Sequence, residues 1–418
     1  MYNHSIIHRM LCGLFVWKGA IIVDNIILRN CRLVPALTEG TDLSEADILI
    51  ADGLIADIKP CGSLFEGCCS EWDMEHKTVM PGLIDAHLHL HWQHDSTWST
   101  HMRDCWRVFP EMRYANFMLD NGYTTIRDAG DNNCCASEAI RDAIKDGYIV
   151  GPRIICAGPT LNPGDVGSYN CAQNHVRISG PEETRRRVRE NITYGSDFIK
   201  LYGSGSLLMI DNDPHNRTIE EDEIREAVKV TSCRHMYVAI HAHGSTTIDM
   251  AVRAGVRTIE HASFISEETL QYMDGRTDVG IVPTVGILHA MAHPSSGQLT
   301  PAAIRFRDIT NTVFDCIRNA YHHNILIGWG TDIALNTYQN DPYIEMRTRK
   351  DDLGFSNLDI LKQLTINSAK LLMLDNKIGT VKTGKCADLI VVNGNPVDNI
   401  EVMYAKPIHV IAGGKRIR

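Results

Sequence analysis

The chain has 418 residues, of which 44% are hydrophobic and 22% are charged, so disordered, collagen-like and coiled-coil proteins are excluded. Its 41 Lys and Arg residues against 51 Asp and Glu residues give a formal net charge of −10. This balance disfavours proteins that act mainly on nucleic acid or on membranes, because both need basic patches. The length suggests about two or three domains, although a single α/β barrel takes roughly 250 residues.

The first 25 residues are predicted to be a poorly structured extension. The apolar run Met10–Trp17 is too short to span a bilayer and lacks a small-residue cleavage site, so a signal peptide is disfavoured. The 13 cysteines are odd in number and show no CxxC spacing, which is typical of reduced thiols. We therefore expect a cytoplasmic protein whose first domain begins near Ile26.

Short strand-like segments bounded by turn residues occur near both ends of the chain. They are Ile26–Val34, Ala46–Ile50, Leu54–Ile58, Ala387–Val392 and His409–Ala412. Because β material lies on both sides of a long middle region, we expect residues 26–80 and 375–418 to pair into one small β-sandwich.

Residues 81–374 alternate between apolar strands and helical stretches. The candidate strands are Leu83–His89, Thr124–Asp128, Arg153–Ala157, Asp197–Tyr202, Tyr237–Ala242, Thr258–His261, Ile281–Thr284 and Ile325–Thr331. Eight strands, each followed by helical material, predict an α/β fold with a (β/α)8 TIM barrel inserted in the sandwich. A doubly wound open sheet is the alternative, but no GxGxxG or GxxxxGK[ST] motif follows a strand.

Histidines cluster at the ends of three predicted strands, where barrel enzymes place their catalytic groups. The first strand ends in His87-Leu-His89, the fifth in His241-Ala-His243 and the sixth in His261. Residues i and i+2 of a strand point to one face, so each pair can aim two imidazoles at one point. Taken singly, an exposed or a satisfied core histidine is the commoner explanation.

Two further residues strengthen this pattern. Lys200 lies inside the apolar fourth strand, where burial favours the neutral amine, and a neutral amine can react with CO2 to form a carbamate. Asp332 follows the eighth strand. A lysine that extends to the strand end and an aspartate that caps a helix are the alternatives. Together with the histidines, however, these residues favour a centre for first-row metal ions.

Several motifs resemble the amidohydrolase superfamily. They are Pro81–His89 (PGLIDAHLH), Asp197–Lys200, His241–Gly244, Glu260-His261 and Gly330–Asp332, with a tail over Gly384–Pro396 typical of the flanking sandwich. More narrowly, the chain is similar to the prolidase-like branch, which contains Xaa-Pro and Xaa-Arg/Lys dipeptidases and ochratoxinase. The similarity runs from about Ile26 to the end of the chain.

This resemblance implies a binuclear centre of divalent ions, with zinc expected. The implied ligands are His87, His89 and Asp332 for the more buried ion, His241 and His261 for the more exposed ion, and a carbamate on Lys200 for both. The resemblance also implies a metal-bridged hydroxide that attacks the scissile carbonyl, with Asp332 as the base.

Other residues are candidates for substrate contact or support. His243 falls where this branch places a Tyr or His that contacts substrate, and it could help to hold the developing oxyanion. Tyr202 could bind a substrate carboxylate, with a structural hydroxyl as the alternative, and His289 could line the pocket. Arg127-Asp128 ends the second strand and could support the metal ligands.

We therefore expect a zinc-dependent amidohydrolase that acts on a small molecule, with dipeptides and N-acyl amino acids as first candidates. A cyclic amide or lactone hydrolase is one alternative. A non-catalytic scaffold on the same fold is another, and it is disfavoured because every implied ligand is present. We expect no nucleic-acid or membrane partner, and a homo-oligomer is possible.

Overall fold

The structure is a computed structural model that describes residues 25–67, 69–92, 104–130, 135–163, 175–207, 213–294 and 300–418. Residues 1–24, nearly all of the predicted N-terminal extension, lie outside the described residues. No helix in the described part of the chain is long and apolar enough to cross a membrane.

The structure describes 17 strands. They are β1 (Ile26–Leu33), β2 (Glu45–Ala51), β3 (Leu54–Lys59), β4 (Ser70–Asp73), β5 (Thr78–Pro81), β6 (Leu83–Leu88), β7 (Tyr123–Asp128), β8 (Arg153–Cys156), β9 (Thr160–Asn162), β10 (His175–Arg177), β11 (Ile199–Tyr202), β12 (Val238–Ala242), β13 (Thr258–His261), β14 (Gly280–Val282), β15 (Leu389–Val392), β16 (His409–Ala412) and β17 (Lys415–Arg416).

The structure describes 12 α-helices, all of them between β6 and β15. They are α1 (Asp104–Asp120), α2 (Ala136–Lys145), α3 (Gly180–Tyr194), α4 (Glu221–Ser232), α5 (Ser245–Ala254), α6 (Glu267–Met273), α7 (Val285–Ala292), α8 (Pro301–His322), α9 (Leu335–Asn340), α10 (Ile344–Arg347), α11 (Asn357–Lys362) and α12 (Ser368–Leu371). Local sequence sets their ends: the Thr300 hydroxyl accepts from Ala303 N at the start of α8, where Pro301 occupies the first turn.

Strands from both ends of the chain form one eight-stranded sheet. Its order is β17-β16-β15-β5-β1-β2-β3, and β4 also pairs with β1. The N-terminal and C-terminal parts meet where β5 and β15 run antiparallel, with Val79 opposite Val391. Both valines belong to one buried cluster with Leu28 and Ile48. The predicted pairing of the two ends is confirmed, whereas the division into domains at residues 26–80, 81–374 and 375–418 stays a prediction.

The strands of the middle region pair in parallel. They form two sheets, β6-β7-β8 and β10-β9-β11-β12-β13-β14. A hydrogen bond from Asp197 N to Cys156 O (2.7 Å) joins β8 to the segment that leads into β11, and one from Ala86 N to Trp329 O (2.8 Å) joins β6 to the eighth barrel segment. The fold therefore confirms the predicted TIM barrel with its β-sandwich.

The eighth barrel segment is less regular than predicted. Within Ile325–Thr331 only an isolated bridge between Ile327 and Ile281 forms, rather than a full strand. The segment still lies between its neighbours, because Gly328 N donates to Ile281 O (2.9 Å) while Trp329 O accepts from β6. The short strands β9 and β10 were not predicted, since they lie in a region rich in Gly and Asn.

Candidate metal centre

The predicted histidine ligands form one connected group at the carboxyl ends of β6, β12 and β13. The ring centroids of His87 and His89 lie 5.4 Å apart, those of His87 and His261 4.9 Å, and those of His261 and His241 4.6 Å. Parallel barrel strands end on one side of the barrel, so residues distant in sequence meet there.

Potential ligand atoms fall into two groups of three. In each group the atoms lie within 4.8 Å of one another. The first group is His87, His89 and Asp332, which is the set predicted for the more buried ion. In this group Asp332 Oδ1 lies 3.7 Å from Nε2 of each histidine. The second group contains the predicted His241 and His261 and adds His243.

Close packing of the eighth segment against β6 positions Asp332. Thr331 N and Asp332 N both donate to His87 O, over 3.1 and 2.8 Å. A Cβ on Gly330 would lie 2.7 Å from His87 Cβ and 2.6 Å from Val282 Cγ1, closer than carbon atoms approach without a shift. Glycine at this position is therefore what allows the aspartate to lie beside the histidines.

Left-handed backbone geometry recurs at the predicted ligands. The φ angle is +70° at His261, +51° at Ala262 and +49° at Asp332. Aspartate and histidine adopt this region more readily than most residues, but for alanine it costs on the order of 1–2 kcal/mol. Hydrogen bonds from Ala262 N to Ala242 O (3.1 Å) and from Ala262 N to Glu260 O (2.9 Å) hold the turn. Strain of this kind is characteristic of functional sites.

Lys200 is buried beside the histidines, with 2% of its surface exposed. Burial lowers the pKa of its ammonium group, although the negative charge of Glu260 opposes the shift. The pKa of His87 is lowered mainly by burial and next by the positive charge of Lys200. The pKa of His241 is lowered mainly by burial and next by the charges of His243 and Lys200. Burial therefore favours the neutral amine of Lys200 more than it is favoured in an exposed lysine.

Two buried atoms in the first group have no hydrogen-bond partner among the described residues. They are Nε2 of His87 and Oδ1 of Asp332, which lie 3.7 Å apart. Leaving such atoms unsatisfied costs roughly 1–3 kcal/mol each, and one cation would satisfy both. Burial lowers the pKa of His87 to about 4, so the ring is neutral at pH 7, as a metal ligand must be. Nitrogen and carboxylate ligands suit zinc, so these residues fit a divalent metal ion.

A fully buried hydrogen-bond network contacts the Nδ1 side of the His87 ring. Glu260 Oε2 lies 2.5 Å from His87 Nδ1, and Glu260 Oε1 accepts from Arg127 Nη2 over 2.7 Å. Thr258 Oγ1 donates to the same carboxylate over 2.6 Å. Burial alone would raise the pKa of Glu260, but Arg127 and His87 together hold it well below its usual range. The sequence indicated Arg127 as a supporting residue but gave no reason to pair Glu260 with His87.

His243 belongs to the second group, and Tyr202 borders it. His243 Nδ1 lies 2.7 Å from Ser263 Oγ, and its ring stacks on His261 at 4.8 Å. The Tyr202 ring stacks on His241 at 4.0 Å. Both residues therefore lie where a substrate bound at the histidines would meet them, and their predicted roles stay predictions.

His289 lies on α7 and makes different contacts. Its Nδ1 is 3.1 Å from Asp352 Oδ2, and its ring is 4.7 Å from that of His293. None of its described contacts is with the histidine group, so its pocket role gains no support.

Sequence reasoning missed His215, which follows no strand and carries no motif. Its ring lies 4.5 Å from that of Phe264. A Cβ on Gly244 would lie 2.9 Å from His215 Cα, so the loop carrying His215 packs directly on the HAHG motif. The absence of a side chain at Gly244 is the only signal in the sequence for this contact.

Comparison with known proteins identifies the family. Residues 78–417, well over half of the chain, match the model of the amidohydrolase family. The chain belongs to the amidohydrolase family. It is thus a hydrolase of that family, and the resemblance predicted from the motifs is confirmed.

Three relatives place it within the family. Ochratoxinase from Aspergillus niger is 25% identical over 92% of this chain and 84% of its own length. A prolidase structure complexed with N-methylphosphonate-L-proline is 26% identical, with a TM-score of 0.82, over 94% of this chain and 99% of that one. A Xaa-Pro dipeptidase structure with methionine in its active site is 26% identical, with a TM-score of 0.81, over 94% of this chain and 100% of that one. These similarities confirm the predicted prolidase-like branch.

Proposed function

We propose that this amidohydrolase is a zinc-dependent enzyme that hydrolyses an amide bond in a dipeptide or an N-acyl amino acid. The observation that carries the proposal is that the four predicted histidine ligands and Asp332 lie in two adjoining groups, with two of their atoms lacking any described hydrogen-bond partner. Lys200 is buried on β11, the strand that pairs with the one bearing His241. N-Methylphosphonate-L-proline and methionine, held by two related structures, each present an amino-acid carboxylate, which supports the substrate class.

The proposed ligand set divides between two ions. His87, His89 and Asp332 would hold one ion, His241 and His261 the other, and Lys200 as a carbamate both. Divalent ions at these positions would supply a Lewis acid for the scissile carbonyl and lower the pKa of a bound water.

The residues themselves account for the remaining steps. Asp332 would accept the proton of the attacking water and return it to the leaving nitrogen, so one residue serves as base and then as acid. His243, whose Nδ1 is taken up by Ser263, has Nε2 available to hold the developing oxyanion. Tyr202, stacked on His241, would contact the substrate carboxylate.

The test combines metal analysis with a substrate panel. We expect the purified protein to bind close to two equivalents of zinc per chain and to turn over dipeptides or N-acyl amino acids. Dialysis against a chelator should abolish this activity, and zinc with bicarbonate should restore it, because the carbamate needs CO2.

Two results would contradict the proposal in different ways. Turnover of only hydantoins or lactones would replace the peptidase assignment with a cyclic amide or lactone hydrolase. A protein that binds no metal and turns over nothing would be a scaffold. Cytoplasmic location and a homo-oligomeric state stay predictions.

A further inference from the structure

Both carboxylate oxygens of Glu260, the side chain that contacts His87 Nδ1, have hydrogen-bond partners. Glu260 is fully buried on β13, in register with His241 on β12, and its carboxylate extends to the opposite His87 on β6. One oxygen, Oε1, is taken up by Arg127 and Thr258. The other, Oε2, is left for His87 Nδ1 at 2.5 Å.

Arg127 prevents this carboxylate from turning away. Its guanidinium donates to Glu260 Oε1, to Thr258 Oγ1 (2.9 Å) and to Ala86 O, and its carbon lies 5.1 Å from the centre of the Phe198 ring. Ala86 directly precedes His87, so the same guanidinium fixes the backbone before the histidine and, through Glu260, its ring.

We propose that Glu260 is a positioning residue for one of the two metal ions: by accepting the Nδ1 proton of His87 it fixes the tautomer and directs Nε2 at the ion shared with Asp332. The inference rests on the proposed function, because it assumes that His87 is a metal ligand. A carboxylate in this position orients the imidazole and raises its basicity as a ligand.

At two of the other predicted histidine ligands, Nδ1 meets an uncharged oxygen. His89 Nδ1 meets a backbone carbonyl, that of Gly130, at 2.9 Å, and His261 Nδ1 meets the Thr284 hydroxyl at 2.8 Å. Among the described residues, His87 is the only predicted ligand whose Nδ1 meets a carboxylate. Loss of Glu260 should therefore weaken the binding of the ion at His87. The ion at His241 and His261 should stay bound.

The decisive variant is Glu260→Asp, which keeps the negative charge beside Arg127 but shortens the side chain by about 1.5 Å. We expect one of the two Zn²⁺ affinities to fall by about 10- to 100-fold and the other to stay at the wild-type value. Competition of Zn²⁺ with a chromophoric chelator measures both affinities without reference to activity.

A matched control exists elsewhere in the barrel. Glu345 is equally buried and pairs with Arg349 Nε over 2.7 Å, but its other described bond is to Gly286 N and not to a predicted ligand. Glu345→Asp should keep both wild-type affinities. Equal weakening in the two variants would overturn the inference, because it would show a general effect of disturbing a buried ion pair.

A second variant covers the case in which Glu260→Asp does not fold. Thr258→Val keeps both charges and removes the hydroxyl that donates to Glu260 and accepts from Arg127. We expect the Zn²⁺ affinity of the same site to fall by a few-fold. Two unchanged affinities in whichever variant folds would overturn the inference. Wild-type protein that binds no Zn²⁺ would instead overturn the proposed function.

Discussion

The geometry around His243 is compatible with two roles, metal ligand and substrate contact. Its ring lies 4.6 Å from that of His241 and 4.8 Å from that of His261, so it could complete a three-histidine ion site. Its Nδ1 is engaged by Ser263, which equally fits a ring that presents Nε2 to a substrate oxygen. The motif resemblance predicts substrate contact for His243, and this role stays a prediction.

A substitution separates the two roles. We expect His243→Asn to lower kcat by about 10²- to 10³-fold, because an oxyanion contact is lost, while the zinc content stays near two per chain. Steady-state kinetics and metal analysis of the same preparation make the measurement. His241→Ala is the comparison, since a true ligand variant should lose metal as well as rate. Loss of zinc from His243→Asn would show that His243 is a ligand.

At the level of elements, the active geometry depends on an irregular segment lying against a regular strand. The eighth segment approaches β6 closely enough that Asp85 Oδ2 accepts from Thr331 Oγ1 (2.8 Å) and Asp85 Oδ1 accepts from His87 N (3.0 Å). Thus Asp85 connects the strand that bears two predicted ligands to the segment that bears a third. Gly330 permits this approach because it has no side chain.

The glycine can be tested directly. Gly330→Ala should destabilise the protein by about 1–3 kcal/mol and reduce zinc affinity, because the new methyl group pushes His87 away from Asp332. Gly328→Ala is a matched control on the same segment: its Cβ would meet the flexible end of Leu371, 2.7 Å away, rather than a ligand. Unfolding in urea and zinc titration compare the two. Equal zinc affinity in both variants would contradict this account.

The sequence allowed prediction of the strands and ligands that depend on local patterns. His87 and His89 could be recognised because the two-residue period of a strand puts them on one face, and Thr258–His261 agrees with β13 at both ends. The shortness of the eighth strand could not be predicted, because it depends on packing against two neighbours. Likewise, Glu260 meets His87 across 173 residues, a contact that no local pattern encodes.

Over the whole molecule, Glu39 connects the N-terminal part of the chain to the tail. Its carboxylate accepts from Lys382 Nζ (2.8 Å), from Thr380 Oγ1 (2.8 Å) and from Lys385 Nζ (3.4 Å). The hydrogen bond from Lys382 is the main reason that the pKa of Glu39 falls to about 2. Folding therefore favours the ionised form of this glutamate.

This shift predicts a pH-dependent contribution to stability. An unfolded glutamate titrates near pH 4.3, so the contribution is fully present above about that value and is lost as the pH falls towards 2. Glu39 is 39% exposed, so we expect Glu39→Gln to lower the free energy of unfolding by only about 1 kcal/mol or less at pH 7. The difference from wild type should shrink below about pH 4.

Urea unfolding at pH 7 and at several acidic values measures the effect. Glu75→Gln is the control, because Glu75 is 72% exposed and, in the described part of the chain, forms an ion pair with its near neighbour Lys77 alone. A difference from wild type at pH 7 that stays the same or grows below about pH 4 would contradict the prediction.

The pairing of β5 with β15 also imposes an order on biosynthesis. Thr78 Oγ1 donates to Gly394 O across 316 residues of chain, so β5 leaves the ribosome long before its partner strand. At 5–20 residues per second this interval is roughly 15–60 s. During that time the margin of the nascent sheet is an uncovered template for intermolecular pairing. Chaperone dependence of the newly made chain should therefore end only when the last strands emerge.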